Sequence, residues 1–200
     1  MSSRSRRARR RSSSRRASSG SSSRASGSSS SRASPPGSGS TRLRSGAVDD
    51  LALVERQLGR RPRAFRRVAV RCPYGRPAVT EQAPYDESGD PFPTTYYLTC
   101  PHLVAALARV EAAGGVERWP RAAADDPELG ASLERAHEEQ RALRPELDLG
   151  VAGAGRSAGG LKCLHAHAAF ALARPGYLLG ERILAEIEPL WPARGCCTPG

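Results

Sequence analysis

Asparagine is absent from the chain, lysine and methionine occur once each, and phenylalanine three times. Thirty of the thirty-one basic residues are therefore arginine, which reads as the codon bias of a GC-rich genome and not as a composition selected for nucleic acid. Residues 1–46 contain no acid at all, but twelve arginines and twenty serines. The remainder holds nineteen basic against twenty acidic residues. The net charge of +11 therefore belongs to the tail, and the near-neutral remainder offers no electrostatic reason to bind nucleic acid. No stretch approaches the roughly 20 apolar residues that a membrane span needs, which excludes a spanning helix. The tail also lacks the apolar run of a secretory signal. A reducing, cytoplasmic setting is therefore expected for the five cysteines. None of them stands in a Cys-x-x-Cys pair, so the strongest sequence mark of a zinc site is missing.

The residues present describe two parts. Residues 1–47 are a low-complexity Ser/Arg/Gly tail that cannot bury enough apolar surface to offset its ordering entropy, and disorder is expected there. The tail could bind nucleic acid or anionic surfaces weakly and without specificity, or be a dispensable extension, with Val48 as an alternative start. Residues 48–197 read as one α+β domain, a small antiparallel three-stranded sheet packed by four to five helices. Strands are expected at 68–72, 78–82 and 94–98 from their β-branched and aromatic content. A helix follows Pro101, which suits a first helical position, and Gly114-Gly115 ends it. Asp125 with Glu128 resembles a capping box for a helix running to Arg144. Further helices are expected from about Leu161 to Ala173 and from Gly180 to Trp191.

Three cysteines, Cys72, Cys100 and Cys163, fall at expected element boundaries. Together with a histidine they compose the ligand set of a zinc site. Cys163 and His167 are an i, i+4 pair on one helix. If Cys163 precedes the helix proper, Cys163 and His165 converge instead. Cys196 or Cys197, in a loose C-terminal end, could supply a fourth ligand. Cys100, next to a helix start, could alternatively be a nucleophilic thiol with a depressed pKa. The bland reading of these cysteines is small buried hydrophobes, and His102 and His137 read as surface residues. A separate candidate is the glycine loop before the lone lysine. It fails the Walker pattern, since Leu161 separates Gly160 from Lys162. Even so, Arg156, Ser157, Gly159, Gly160 and Lys162 at a helix entrance could hold an anion. Whether the chain is an enzyme is left open.

Six blocks stand in a recognisable order: Arg71-Cys-Pro73, Pro91-Phe-Pro-Thr-Thr-Tyr-Tyr-Leu-Thr-Cys-Pro101, Asp126-Pro-Glu-Leu129, Ala136-His-Glu138, Ser157-Ala-Gly-Gly160 and Lys162-Cys-Leu-His165. Together they resemble the actinobacterial domain of unknown function 501, over about residues 48–197. The resemblance implies no established activity. It places Cys72, Cys100, Lys162, Cys163 and His165 on positions that match the family's motifs. The loop between Ser157-Ala-Gly-Gly160 and Lys162 is shorter than in the family, and the segment from Pro175 to Gly180 lacks its usual Asn-Pro.

Overall fold

The computed structural model describes residues 42–156 and 161–197. The tail up to residue 41 lies outside them, as do Ser157, Gly159 and Gly160 of the glycine loop. The domain is α+β, as expected, with one three-stranded antiparallel sheet in the order β1-β2-β3. The strands are β1 (Phe65–Arg71), β2 (Pro77–Gln82) and β3 (Tyr96–Leu98). Among the described residues the domain also has six α-helices: α1 (Arg42–Leu58), α2 (Pro101–Ala112), α3 (Gly115–Asp125), α4 (Pro127–Leu143), α5 (Leu164–Ala173) and α6 (Leu178–Ala185).

The β1–β2 hairpin turns at Cys72. Its N–H donates to the Arg76 carbonyl and its own carbonyl accepts from Gly75 N–H, both at 2.9 Å. Gly75 has a φ of 77°, a left-handed value that a glycine accepts without strain. Strand β3 starts at Tyr96, later than expected, because Pro91 and Pro93 withhold the N–H groups a ladder needs. Residues of both parities along β2, Ala78, Val79 and Thr80, are fully buried, so both of its faces are covered; α1 and α5 contact it.

Helix α5 explains much of the core. Its buried residues, Leu164, Ala166, His167, Ala168, Ala169, Phe170 and Ala171, point to every side, as in a helix enclosed by other elements. It packs on β3, α6 and α2, and Phe170 meets Tyr96 and Tyr177 edge-on at ring separations of 5.7 and 5.9 Å. Helix α4 begins one residue later than the capping-box reading. Pro127 occupies its first position and forces Asp126 into an extended conformation (φ −112°, ψ 107°), as the residue before a proline prefers. Asp126 Oδ1 then accepts the N–H groups of Glu128 (2.9 Å) and Leu129 (3.3 Å).

Helix α3 was not expected, since Gly114-Gly115 reads as the end of the preceding helix. Gly114 does turn the chain, at a φ of 85°, but Gly115 opens a new helix instead of a loop. A Cβ on Gly115 would stand 2.8 Å from both the Val110 carbonyl oxygen and Leu164 Cδ1. Its lack of a side chain is what lets α3 leave α2 against the start of α5. The final helix is shorter than expected, and Ile187, Leu190 and Trp191 follow it in irregular chain.

Candidate metal centre

Helix α2 carries Glu111 in its last turn, and the chain returns to that turn at the start of α5. Cys163 is the N-cap residue of α5 but makes no capping hydrogen bond with its own side chain. Glu111 supplies the cap instead, its Oε1 accepting the Leu164 N–H at 2.7 Å. A carboxylate is favoured there by the unpaired N–H groups and the helix dipole.

The same oxygen lies 3.2 Å from His165 Nδ1. The other ring nitrogen, Nε2, is 3.1 Å from the carbonyl oxygen of Val104. A carbonyl only accepts, so Nε2 carries a hydrogen and donates it. Nδ1 is thereby aimed at the Glu111 carboxylate and at Cys163 Sγ, 3.8 Å away. The three donor atoms of Glu111, Cys163 and His165 all lie within 4.8 Å of one another. A proton on Nδ1 or a metal ion would satisfy this convergence of electron-rich atoms. Without a metal the proton is held firmly. Hydrogen bonding with Cys163 is the main cause, opposed by burial and helped by the Val104 carbonyl and the Glu111 charge, and it raises His165 to about 9.

The centre is half-buried and opens on a cavity of about 350 Å³. Cys163 and His165 form part of its wall, with Tyr96, Leu98, Val104 and Ala152. That volume lies in the range of small-molecule sites.

His167, two residues along α5, turns the other way. It is fully buried, its Nδ1 lies 2.7 Å from Tyr177 Oη, and its ring is 6.1 Å from that of His137. His137 is itself buried, contrary to its surface reading, because α4 turns it toward the short 3-10 turn at Val151–Gly153. Its Nδ1 accepts the Val151 N–H at 3.1 Å.

Cys72, Cys100 and Cys163 do not converge on one point. Among the described residues, the group of metal-ligating side chains gathered within 4.8 Å is Glu111, Cys163 and His165. Helix α2 is the physical reason. Cys100 caps its start and Glu111 ends it, roughly 16 Å apart at about 1.5 Å per residue. Cys72 Sγ instead meets Cys196 Sγ at 4.0 Å, and Cys100 Sγ meets Cys197 Sγ at 3.5 Å. The depressed thiol expected at Cys100 is corrected as well. Burial, with a smaller contribution from Cys197, pushes it up to about 11, against the N–H groups of Leu103 and His102.

The cations of the glycine loop are engaged. Arg156 forms a two-point pair with Asp148, at 2.8 and 2.5 Å, and Lys162 Nζ donates to the Gly153 carbonyl at 3.2 Å. Glu111 is the residue that sequence reasoning missed. Its spacing carries no signal, and it is one of twenty acids.

A family model described as "Protein of unknown function (DUF501)" matches residues 68–185. The chain belongs to the DUF501 family. The matched span of this DUF501 protein includes Glu111, Cys163 and His165, and ends before Cys196 and Cys197. No curated protein and no solved structure matches the chain. Among the described residues, no helix is long and apolar enough to cross a membrane.

Proposed function

We propose that this domain binds a divalent transition-metal ion through Glu111 Oε1, Cys163 Sγ and His165 Nδ1. Zinc matches the mixed oxygen, sulfur and nitrogen donors best. The observation that carries the reading is the orientation of His165. Its Nε2 is anchored on a backbone carbonyl, leaving Nδ1 aimed at a carboxylate and a thiol. Metal-binding histidines are held by just such a partner on the far nitrogen. A set of three protein ligands leaves a coordination position for water or substrate, which is the arrangement of catalytic rather than structural zinc. Here that position belongs to the cavity beside Tyr96, Leu98 and Val104. The reading thus extends to a small, largely apolar substrate carrying one oxygen for the metal. Cysteines acting as thiolates suit a reducing compartment, and a cytoplasmic location goes with the proposal.

The test is a thermal melt of chelator-treated chain with and without added zinc. Binding to the native state raises Tm, by an amount equivalent to about 2.7 kcal/mol at a hundredfold excess over Kd. Cys163→Ser with His165→Ala should reduce the rise. An undiminished rise in that variant overturns the assignment, and leaves an imidazolium–carboxylate pair capping α5 as the account of the cluster.

A further inference from the structure

The C-terminal segment after α6 lies against the end of the sheet where the β1–β2 turn and the start of α2 meet it. Tyr74 Oη donates to the Pro192 carbonyl, and His102 Nε2 lies 3.3 Å from the Pro189 carbonyl oxygen. These contacts bring Cys196 and Cys197 onto Cys72 and Cys100. Four thiol-bearing residues from three distant parts of the chain are thereby assembled at one end of the sheet.

The two sulfur pairs are separated by 4.0 and 3.5 Å. Both distances are far beyond a disulfide bond of about 2.05 Å. They bracket the roughly 3.8 Å between sulfurs sharing a tetrahedral ion with Zn–S near ~2.3 Å. Cys72 and Cys100 are 7% and 3% exposed. Cys72 stands at the corner of the β1–β2 turn and Cys100 at the N-cap of α2.

We infer a second metal site, made of thiolates alone, in which Cys72, Cys100, Cys196 and Cys197 hold a zinc ion that fastens the C-terminal segment to the sheet. No three of these four sulfurs are yet within 4.8 Å of one another, so the two pairs close around the ion as it binds. The chain bearing Cys196 and Cys197 has no regular secondary structure to oppose that movement. Each thiol gives its proton to solvent as it takes up the metal. With all four positions filled by protein the site is of the closed, structural kind. It is independent of the Glu111 centre, and either can exist without the other.

Cobalt(II) distinguishes the two, because sulfur-to-metal charge-transfer absorption grows with the number of thiolates bound. Full-length chain, kept reduced and stripped with chelator, is titrated with cobalt(II) and then displaced with zinc. Cys196→Ser with Cys197→Ser should cost about one bound ion per chain and most of the charge-transfer absorption. Glu111→Gln with His165→Ala should leave that absorption intact, whether or not the other ion binds. Equal uptake and equal absorption in the parent and the C196S/C197S chain overturn the inference. So does a parent spectrum no stronger than a single thiolate gives, a reading that holds even if a variant fails to fold. Recovery of Cys72–Cys196 and Cys100–Cys197 as disulfides, with no cobalt bound after reduction, overturns it in favour of a redox clip.

Discussion

His165 and His167 stand two residues apart on the same helix and meet opposite environments. His165 faces α2, where Cys163 and Glu111 raise it to about 9. His167 faces the core, where burial and the neighbouring His137 lower it to about 3. One is set up to hold a positive charge and the other to exclude one. The α5 sequence Leu-His-Ala-His-Ala does not distinguish them. What does is the partner each face meets, a charged helix end in one case and Tyr177 in the other.

The largest effect expected from breaking this contrast is on stability. His167→Ala removes a fully buried ring and leaves Tyr177 Oη without its 2.7 Å partner. A loss of about 2–4 kcal/mol is expected in denaturant unfolding, with zinc affinity unchanged. His165→Ala should instead abolish zinc binding at this centre, and its stability loss without metal should shrink as pH rises through about 9, where the ring gives up its proton. Equal zinc affinity in the two variants would erase the distinction.

Gly115→Ala tests how closely the centre depends on the α2–α3 turn. The added methyl meets the Val110 carbonyl oxygen and Leu164 Cδ1 at 2.8 Å, and the carbonyl cannot move aside. Overpacking of this kind costs about 1–3 kcal/mol. Because Leu164 lies between Cys163 and His165, zinc affinity should fall as well. A variant of unchanged stability and affinity would show that the contact is loose.

The buried pair also predicts a pH dependence. With folded-state values lowered by burial, His137 and His167 bind protons more readily when unfolded. Their contribution is therefore complete above the unfolded value near ~6.5 and is lost as pH falls, for His167 toward about 3. Each histidine adds a slope of at most about 1.4 kcal/mol per pH unit. Urea unfolding from about pH 7 to about pH 4, across the unfolded value of ~6.5, should show this slope, and His167→Gln should reduce it. An equal slope in parent and variant would place the titration elsewhere.

The smallest effect belongs to the glycine loop. Lys162→Ala deletes one exposed hydrogen bond to Gly153, and a change within about 0.5 kcal/mol is expected. With Arg156 paired to Asp148, inorganic phosphate should not shift the melting temperature. A shift that Lys162→Ala abolishes would restore the anion-site reading.

What the sequence disclosed follows from how local each signal is. Pro101 at the start of α2, Pro127 at the start of α4 and the β-branched strands declare themselves over a few residues, and the structure has them. Helix α3 was hidden because Gly115 looks like a stop, whereas its role is close packing against Val110 and Leu164. In the cluster, Cys163 and His165 were legible as a pair conditional on the helix starting after Cys163, which it does. Glu111 was not, since its part depends on where α2 ends relative to α5. The joining of Cys72 with Cys196 and of Cys100 with Cys197 spans 124 and 97 residues, beyond the reach of any spacing rule.

The central claim is that Glu111, Cys163 and His165 enclose a metal ion, and calorimetric titration of zinc into chelator-stripped chain, parent against Glu111→Gln, tests it most directly. Glutamine keeps an oxygen for the Leu164 N–H but has no charge, so the α5 cap survives while the ligand is lost. The expected result is loss of one binding event, or a fall in its affinity beyond the 10- to 100-fold typical of removing a ligand's outer hydrogen-bond partner. Identical stoichiometry and affinity in parent and variant would contradict it.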